Sequence, residues 1–247
     1  MTVAASRLAR WLALPVNDLR GAFEASLLPG RGPAWLLAGL ALVVSWWIYV
    51  PVHELAHALG CLAAGGEVSR LEIAPRYGGA LLARLFPWVV AGAGYAGRLV
   101  GFDTHGDDLV YLVTVAAPFL VTVLIAVPLL ESIPGDRDRP LLGAVKLGLA
   151  LPAALAPFSS LPGDYYEMGS ILISRVVTLW RPSLPLARWR CDDLLELVRA
   201  RFFAGGAGTT EDAVGIAASF GLGVALSLLT YWSGACFARA VLRAASA

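Results

Sequence analysis

Three polar residues sit close together in an apolar stretch of this chain: His53, Glu54 and His57, in the run His53-Glu54-Leu55-Ala56-His57. Residues four apart share one face of a helix. Both imidazoles can then reach a single metal ion, with Glu54 beside it as a carboxylate able to move a proton. Chance placement would produce such a match in roughly one chain in a thousand. A catalytic zinc ion takes three protein ligands and keeps a fourth position for water. The remaining histidine, His105, lies in the polar run Asp103–Asp108. The better third ligand is Asp164, which follows the Pro-Gly break Leu161-Pro162-Gly163. Taken alone, Asp164 reads as a helix N-cap; the two histidines lacking a third partner make it a ligand candidate. A carboxylate at that place also gains from the dipole of the helix it begins.

The elements that must position these residues are apolar and long. Of the 247 residues, 58% are hydrophobic and 15% charged, and the mean hydropathy is +0.70. Soluble domains are nearer half apolar and a quarter charged. The excess is clustered: 34–52, 109–130 and 213–238 carry no Asp, Glu, Lys or Arg, and 141–162 carries only Lys146. Each run approaches the roughly 20 residues that cross a bilayer as a helix. The reading is an all-α polytopic membrane protein with four to six transmembrane helices. The spans are about 34–64, 109–130, 141–180 (broken at 158–164) and 213–238, within one domain, 34–247. A helix over 34–64 would be about 46 Å long, longer than the hydrocarbon layer, so it must tilt, protrude or kink at Pro51.

Residues 1–33 read as an amphipathic arm lying on the membrane surface, with Trp11 and Phe23 among Arg7, Arg10, Arg20 and Glu24. The seven residues between Arg10 and Asp18 are too few for a cleaved signal sequence. Residues 67–74 alternate as a strand, and Tyr77-Gly78-Gly79 reads as a turn. Segment 85–102 fits a re-entrant segment, an extra span or a membrane-lying helix. The net charge of +1 offers no broad basic field for nucleic acid. Cys61, Cys191 and Cys236 form no close pair, so neither a disulfide framework nor a cysteine zinc site is indicated. Gly92-Ala93-Gly94-Tyr95-Ala96-Gly97 matches a dinucleotide fingerprint but lacks the flanking strand and helix, so no nucleotide is expected. Small residues for close helix packing explain the run better.

Two histidines and a carboxylate within a membrane helix cost a few kcal/mol per charged group, and such groups usually line a cavity or bind something. With these residues in view, the chain resembles the site-2 protease family of intramembrane zinc metalloproteases, from about residue 46 to 180. His53-Glu54-Leu55-Ala56-His57-Ala58-Leu59-Gly60 is similar to the family's first signature. Gly65-Gly66-Glu67-Val68 and Tyr77-Gly78-Gly79 are similar to its membrane-associated β-hairpin, and Ala116-Ala117-Pro118 to the start of its central helix. Ser159-Ser160-Leu161-Pro162-Gly163-Asp164 holds the place of its second signature. Gly163 replaces an apolar residue there, Tyr165 replaces a glycine, and Ser159 or Ser160 stands where the family has an asparagine.

The resemblance implies a multi-pass protein of the bacterial inner (plasma) membrane that cleaves transmembrane segments of membrane proteins. Zn2+ would be held by His53, His57 and Asp164, with Glu54 as general base. Val68, Leu71 and Ile73 on strand 67–74, with Pro162 and Gly163 at the break, are the expected substrate contacts, the strand pairing with unwound substrate backbone. The partners are then the bilayer and a membrane-protein substrate. Two rivals stand beside this reading. One is a non-catalytic zinc-binding membrane protein of the same fold. The other is a zinc protease of a different membrane class, with Glu167 or Glu196 as third ligand.

Overall fold

The computed structural model describes residues 9–92, 94–185, 188–203 and 205–245. Residues 1–8 of the expected surface arm and Ala93 of the glycine-rich run lie outside them, as do 186, 187 and 204. Helix α1 (Leu14–Ala63) is interrupted at Arg31, whose φ of 50° and ψ of −143° are non-helical. Pro29 and Pro33 flank that residue, and each lacks an amide donor. The break therefore falls at Arg31, and the backbone stays helical through Pro51.

After α1 come strand β1 (Glu67–Ile73), helix α2 (Gly79–Leu85), strand β2 (Val89–Ala91) and strand β3 (Gly97–Asp103). The next helices are α3 (Asp108–Ala116) and α4 (Val127–Ser132), joined by a 3-10 turn over Ala117–Phe119 and a π-turn over Thr122–Ala126. Asp107 starts α3 by accepting the amide proton of Leu109 at 2.7 Å. Helix α5 (Pro140–Ser159) and helix α6 (Asp164–Trp180) are separated by the Pro-Gly break, and α7 (Leu194–Val198) and α8 (Thr210–Ala245) complete the chain. Among the described residues, four stretches are long and apolar enough to cross a membrane: Arg31–Ala63, Asp108–Asp136, Pro140–Trp180 and Thr210–Ala244. Within the first, only 11% of the apolar window is buried. Trp35, Leu36, Val43, Trp47 and Ile48 point outward, each more than half exposed. An apolar surface of that extent is unfavourable in water.

The described residues group into two compact units, those within 9–52, 119–156 and 228–245, and those within 53–118 and 157–227. In the first, side chains satisfy polar groups between helices. The Thr122 hydroxyl donates to the Ala153 carbonyl at 2.6 Å, and the Ser45 hydroxyl to that of Leu149 at 2.7 Å. Lys146, the one charged residue of α5, pairs with Asp136 at 2.6 Å. A side chain at Gly148 would lie 2.3 Å from the Ala38 carbonyl. Helices that approach so closely need small residues at the contact, as in membrane bundles.

The second unit holds a three-stranded sheet in the order β2-β1-β3. Strand β1 runs parallel to β2 (Leu71 opposite Val89) and antiparallel to β3 (Ile73 opposite Gly97). The expected hairpin is thus the pair β1 and β3, with α2 and β2 inserted between them. Segment 85–102, expected as a membrane-associated segment or span, is the end of α2, β2 and most of β3. Of the glycine-rich run, residues 94–96 form a bend and Gly97 begins β3, so the expected packing of one helix on another does not occur there. Leu71 and Ile73 are fully buried with Ala58 of α1 and Val89 of β2, which ties the sheet to the helix bearing His53 and His57. Helices α6 and α8 touch backbone to backbone: a side chain at Gly169 would lie 2.1 Å from the Ser219 carbonyl, and one at Gly223 would lie 2.6 Å from that of Tyr165.

Candidate metal centre

One helical turn of α1 presents both imidazoles. Their rings stand nearly perpendicular, with centroids 4.8 Å apart, and the Nε2 atoms face each other at 3.2 Å. The Nδ1 of His57 lies 2.9 Å from the Thr114 carbonyl of α3. A carbonyl only accepts, so Nδ1 carries the proton and the Nε2 lone pair points at His53.

Asp164 comes to this point from α6. The chain turns tightly over Ser159–Gly163, where the Gly163 and Tyr165 amides both donate to the Ser160 carbonyl. Pro162 accepts from the Leu194 amide at 2.8 Å. The N-cap of α6 is Gly163, and no side chain caps the helix there. Asp164 is thus the first helical residue, and its carboxylate faces the imidazoles: Oδ2 lies 3.3 Å from His53 Nε2 and Oδ1 3.6 Å from His57 Nε2. The Ser160 hydroxyl hydrogen-bonds that carboxylate, so a residue of the break orients it.

These distances test whether a metal ion fits. Four ligands arranged tetrahedrally at bond lengths of about 2.0–2.1 Å lie roughly 3.3 Å from one another. The three contacts, at 3.2, 3.3 and 3.6 Å, match that spacing. Two imidazoles and one carboxylate are also a common donor set for zinc and other first-row divalent ions. His53, His57 and Asp164 can therefore hold a metal ion.

A cavity of about 550 Å³ adjoins the three ligands. Glu54, one residue from His53, lines it, together with Tyr111 and Thr114 of α3, Glu167 of α6, and Gly97, Arg98, Leu99 and Phe102 of β3. Glu167 is buried and accepts a hydrogen bond from the Tyr111 hydroxyl. It is committed to that phenol, whereas Asp164 meets the imidazoles. Glu196 lies in α7 and does not line the cavity. The segment before α7 closes another side. Arg190 grips Asp108 with two hydrogen bonds of 2.6 and 2.9 Å, and Asp192 pairs with Arg98 of β3. The Asp192 carboxylate raises the pKa of the Arg98 guanidinium. Burial raises that of the Cys191 thiol, which also faces the cavity.

The expected substrate contacts lie elsewhere. Leu71 and Ile73 are buried in the apolar cluster of the sheet, and Val68 packs at its margin. Pro162 and Gly163 form the break. None of the five lines the cavity. Strand β1 is the central strand, and Leu71–Ile73 have a neighbour on each side. Pairing with a further strand is closed to them. The edge strand at the cavity is β3, which among the described residues pairs only with β1.

Gly97, Arg98, Tyr111, Thr114, Arg190 and Asp192 carried no signal as cavity residues in the sequence. Their role depends on contacts between segments far apart in the chain. For Ser160 the signal was present, because it belongs to the break that ends in Asp164. No protein-family model, no curated protein and no solved structure matches this chain.

Proposed function

We propose that the chain is a multi-pass membrane protein and a zinc metallopeptidase of the site-2 protease type, cutting transmembrane segments of other membrane proteins. The observation that carries this reading is the meeting of Asp164 with both imidazoles at the spacing a tetrahedral ion requires. The four apolar stretches and their outward-facing Trp, Leu and Val side chains support the membrane assignment. The bacterial inner membrane follows from the family resemblance. Zinc, when bound, would supply a Lewis acid that polarises the scissile carbonyl and makes a coordinated water more acidic.

The remaining work falls to side chains of the chain. Glu54 lines the cavity next to His53. It takes a proton from the attacking water and delivers it to the departing amine nitrogen as the C–N bond breaks. Thr114 holds His57 in one tautomer through its carbonyl, and Ser160 holds the Asp164 carboxylate. The peptide bonds of a membrane helix are shielded by their own hydrogen bonds, so the substrate must unwind locally. The open edge of β3 beside the cavity offers its exposed backbone a partner. That role, expected of residues 67–74, passes to β3 because Leu71–Ile73 of β1 are enclosed by β2 and β3.

The test is cleavage of a panel of single-span membrane proteins by the purified, zinc-loaded chain in lipid vesicles. Fragments cut within the span, absent with Glu54→Gln and after chelation, are the expected result. No fragments, or equal cleavage by Glu54→Gln, would overturn the proposal and leave a non-catalytic metal-binding membrane protein.

A further inference from the structure

We infer that Gly97 is a positioning residue for Glu54: its missing side chain leaves the space that the glutamate side chain occupies. The inference rests on the reading of Glu54 as the general base. A Cβ built on Gly97 would lie 2.6 Å from Glu54 Cγ and 3.2 Å from its Cδ. Carbon atoms in favourable contact stand about 3.5–4.0 Å apart, so one of the two sides would have to move.

The backbone on each side is held. Gly97 stands opposite Ile73 in the β1–β3 ladder, and the next link is the Ala74 amide donating to Ala96 at 3.0 Å. Ile73 is fully buried, and so is Ala58, one turn beyond Glu54 on α1. With strand and helix packed through the same apolar cluster, the mobile part is the Glu54 side chain. Any residue larger than glycine at 97 would displace its carboxylate while leaving His53, His57 and Asp164 in place. The glycine requirement here is for space. It also links two parts of the proposed reaction, because the strand that offers its open edge to substrate backbone is the one that abuts the base.

Gly234 of α8 supplies a control outside the site. A Cβ there would lie 2.9 Å from Val127 Cβ and 3.1 Å from its Cγ2, which is similar crowding against a residue that does not line the cavity. The experiment compares Gly97→Ala and Gly234→Ala for zinc content, cleavage kinetics and thermal unfolding, the last in both wild-type and Glu54→Ala backgrounds. Gly97→Ala should keep its zinc and lose at least tenfold in kcat with KM within twofold, while Gly234→Ala stays within threefold in kcat. The drop in unfolding temperature caused by Gly97→Ala should shrink by at least half when Glu54 is alanine, and that caused by Gly234→Ala should not. A kcat for Gly97→Ala within twofold of wild type, or an unfolding shift that Glu54→Ala leaves unchanged, would overturn the inference. If wild-type protein cleaves nothing, the proteolytic reading fails, and the unfolding comparison still decides whether Gly97 makes room for Glu54.

Discussion

Asp164→Ala removes the one anionic donor from the metal centre and leaves both imidazoles in place. The magnitude follows from the ligand count. Structural zinc sites with four protein ligands bind with about 10–16 kcal/mol at neutral pH, or roughly 2.5–4 kcal/mol per ligand. At 1.4 kcal/mol per factor of ten, loss of one ligand should weaken zinc binding by roughly 10²–10³-fold. Changes to groups that only orient ligands cost about 10–100-fold, so Asp164→Ala should exceed Ser160→Ala. The assay is zinc content by elemental analysis after equilibration in buffers of fixed free zinc, with Glu167→Ala and Glu196→Ala alongside. Glu167 is hydrogen-bonded to Tyr111, and Glu196 does not line the cavity, so both variants should bind zinc like wild type. Wild-type affinity in Asp164→Ala, or loss of zinc in Glu167→Ala with Asp164 intact, would refute the three-ligand assignment. The second outcome would favour the rival zinc-protease class.

Other consequences concern the frame around the site. Gly169→Ala places a methyl carbon 2.1 Å from the Ser219 carbonyl oxygen; overpacking of this kind costs about 1–3 kcal/mol, and Gly221→Ala, with nothing within 4 Å and inside helix α8, should not lower the unfolding temperature. Arg190→Ala leaves the buried Asp108 with Arg175 alone and removes two hydrogen bonds, which should cost about 3–6 kcal/mol, since hydrogen bonds to charged groups contribute roughly 1.5–3 kcal/mol each; an unchanged unfolding temperature would contradict it. The Glu72 carboxyl is held below its ordinary value of 4.5 by the Tyr95 hydroxyl and then by Arg70. A depressed folded value stabilises above the unfolded pKa and is lost as pH falls through the folded one. Tyr95→Phe should therefore be less stable than wild type above pH 4.5. The difference should close as the wild-type carboxyl protonates, as unfolding temperatures measured from neutral to acid pH would show.

Much of this centre was legible in the residues alone, because it depends on local periodicity. Four-residue spacing puts His53 and His57 on one helix face in any fold that keeps the helix. Apolar runs of about twenty residues with at most one charge read as membrane-crossing helices from composition alone. The alternation in 67–74 is a strand signal of the same local kind. The tertiary structure decided what depends on contacts distant in sequence. Asp164 could have been a cap or a ligand, and Gly163 took the cap, leaving its carboxylate 3.3 Å from His53. Val68, Leu71 and Ile73 follow a good strand pattern, but that pattern is blind to whether a strand lies at the edge or in the middle of a sheet. Strand β2, only three residues long, encloses Leu71–Ile73 and leaves the open edge to β3. Gly97 looked like one small residue among several, because the steric need for it comes from a glutamate 43 positions earlier, packed against it by folding.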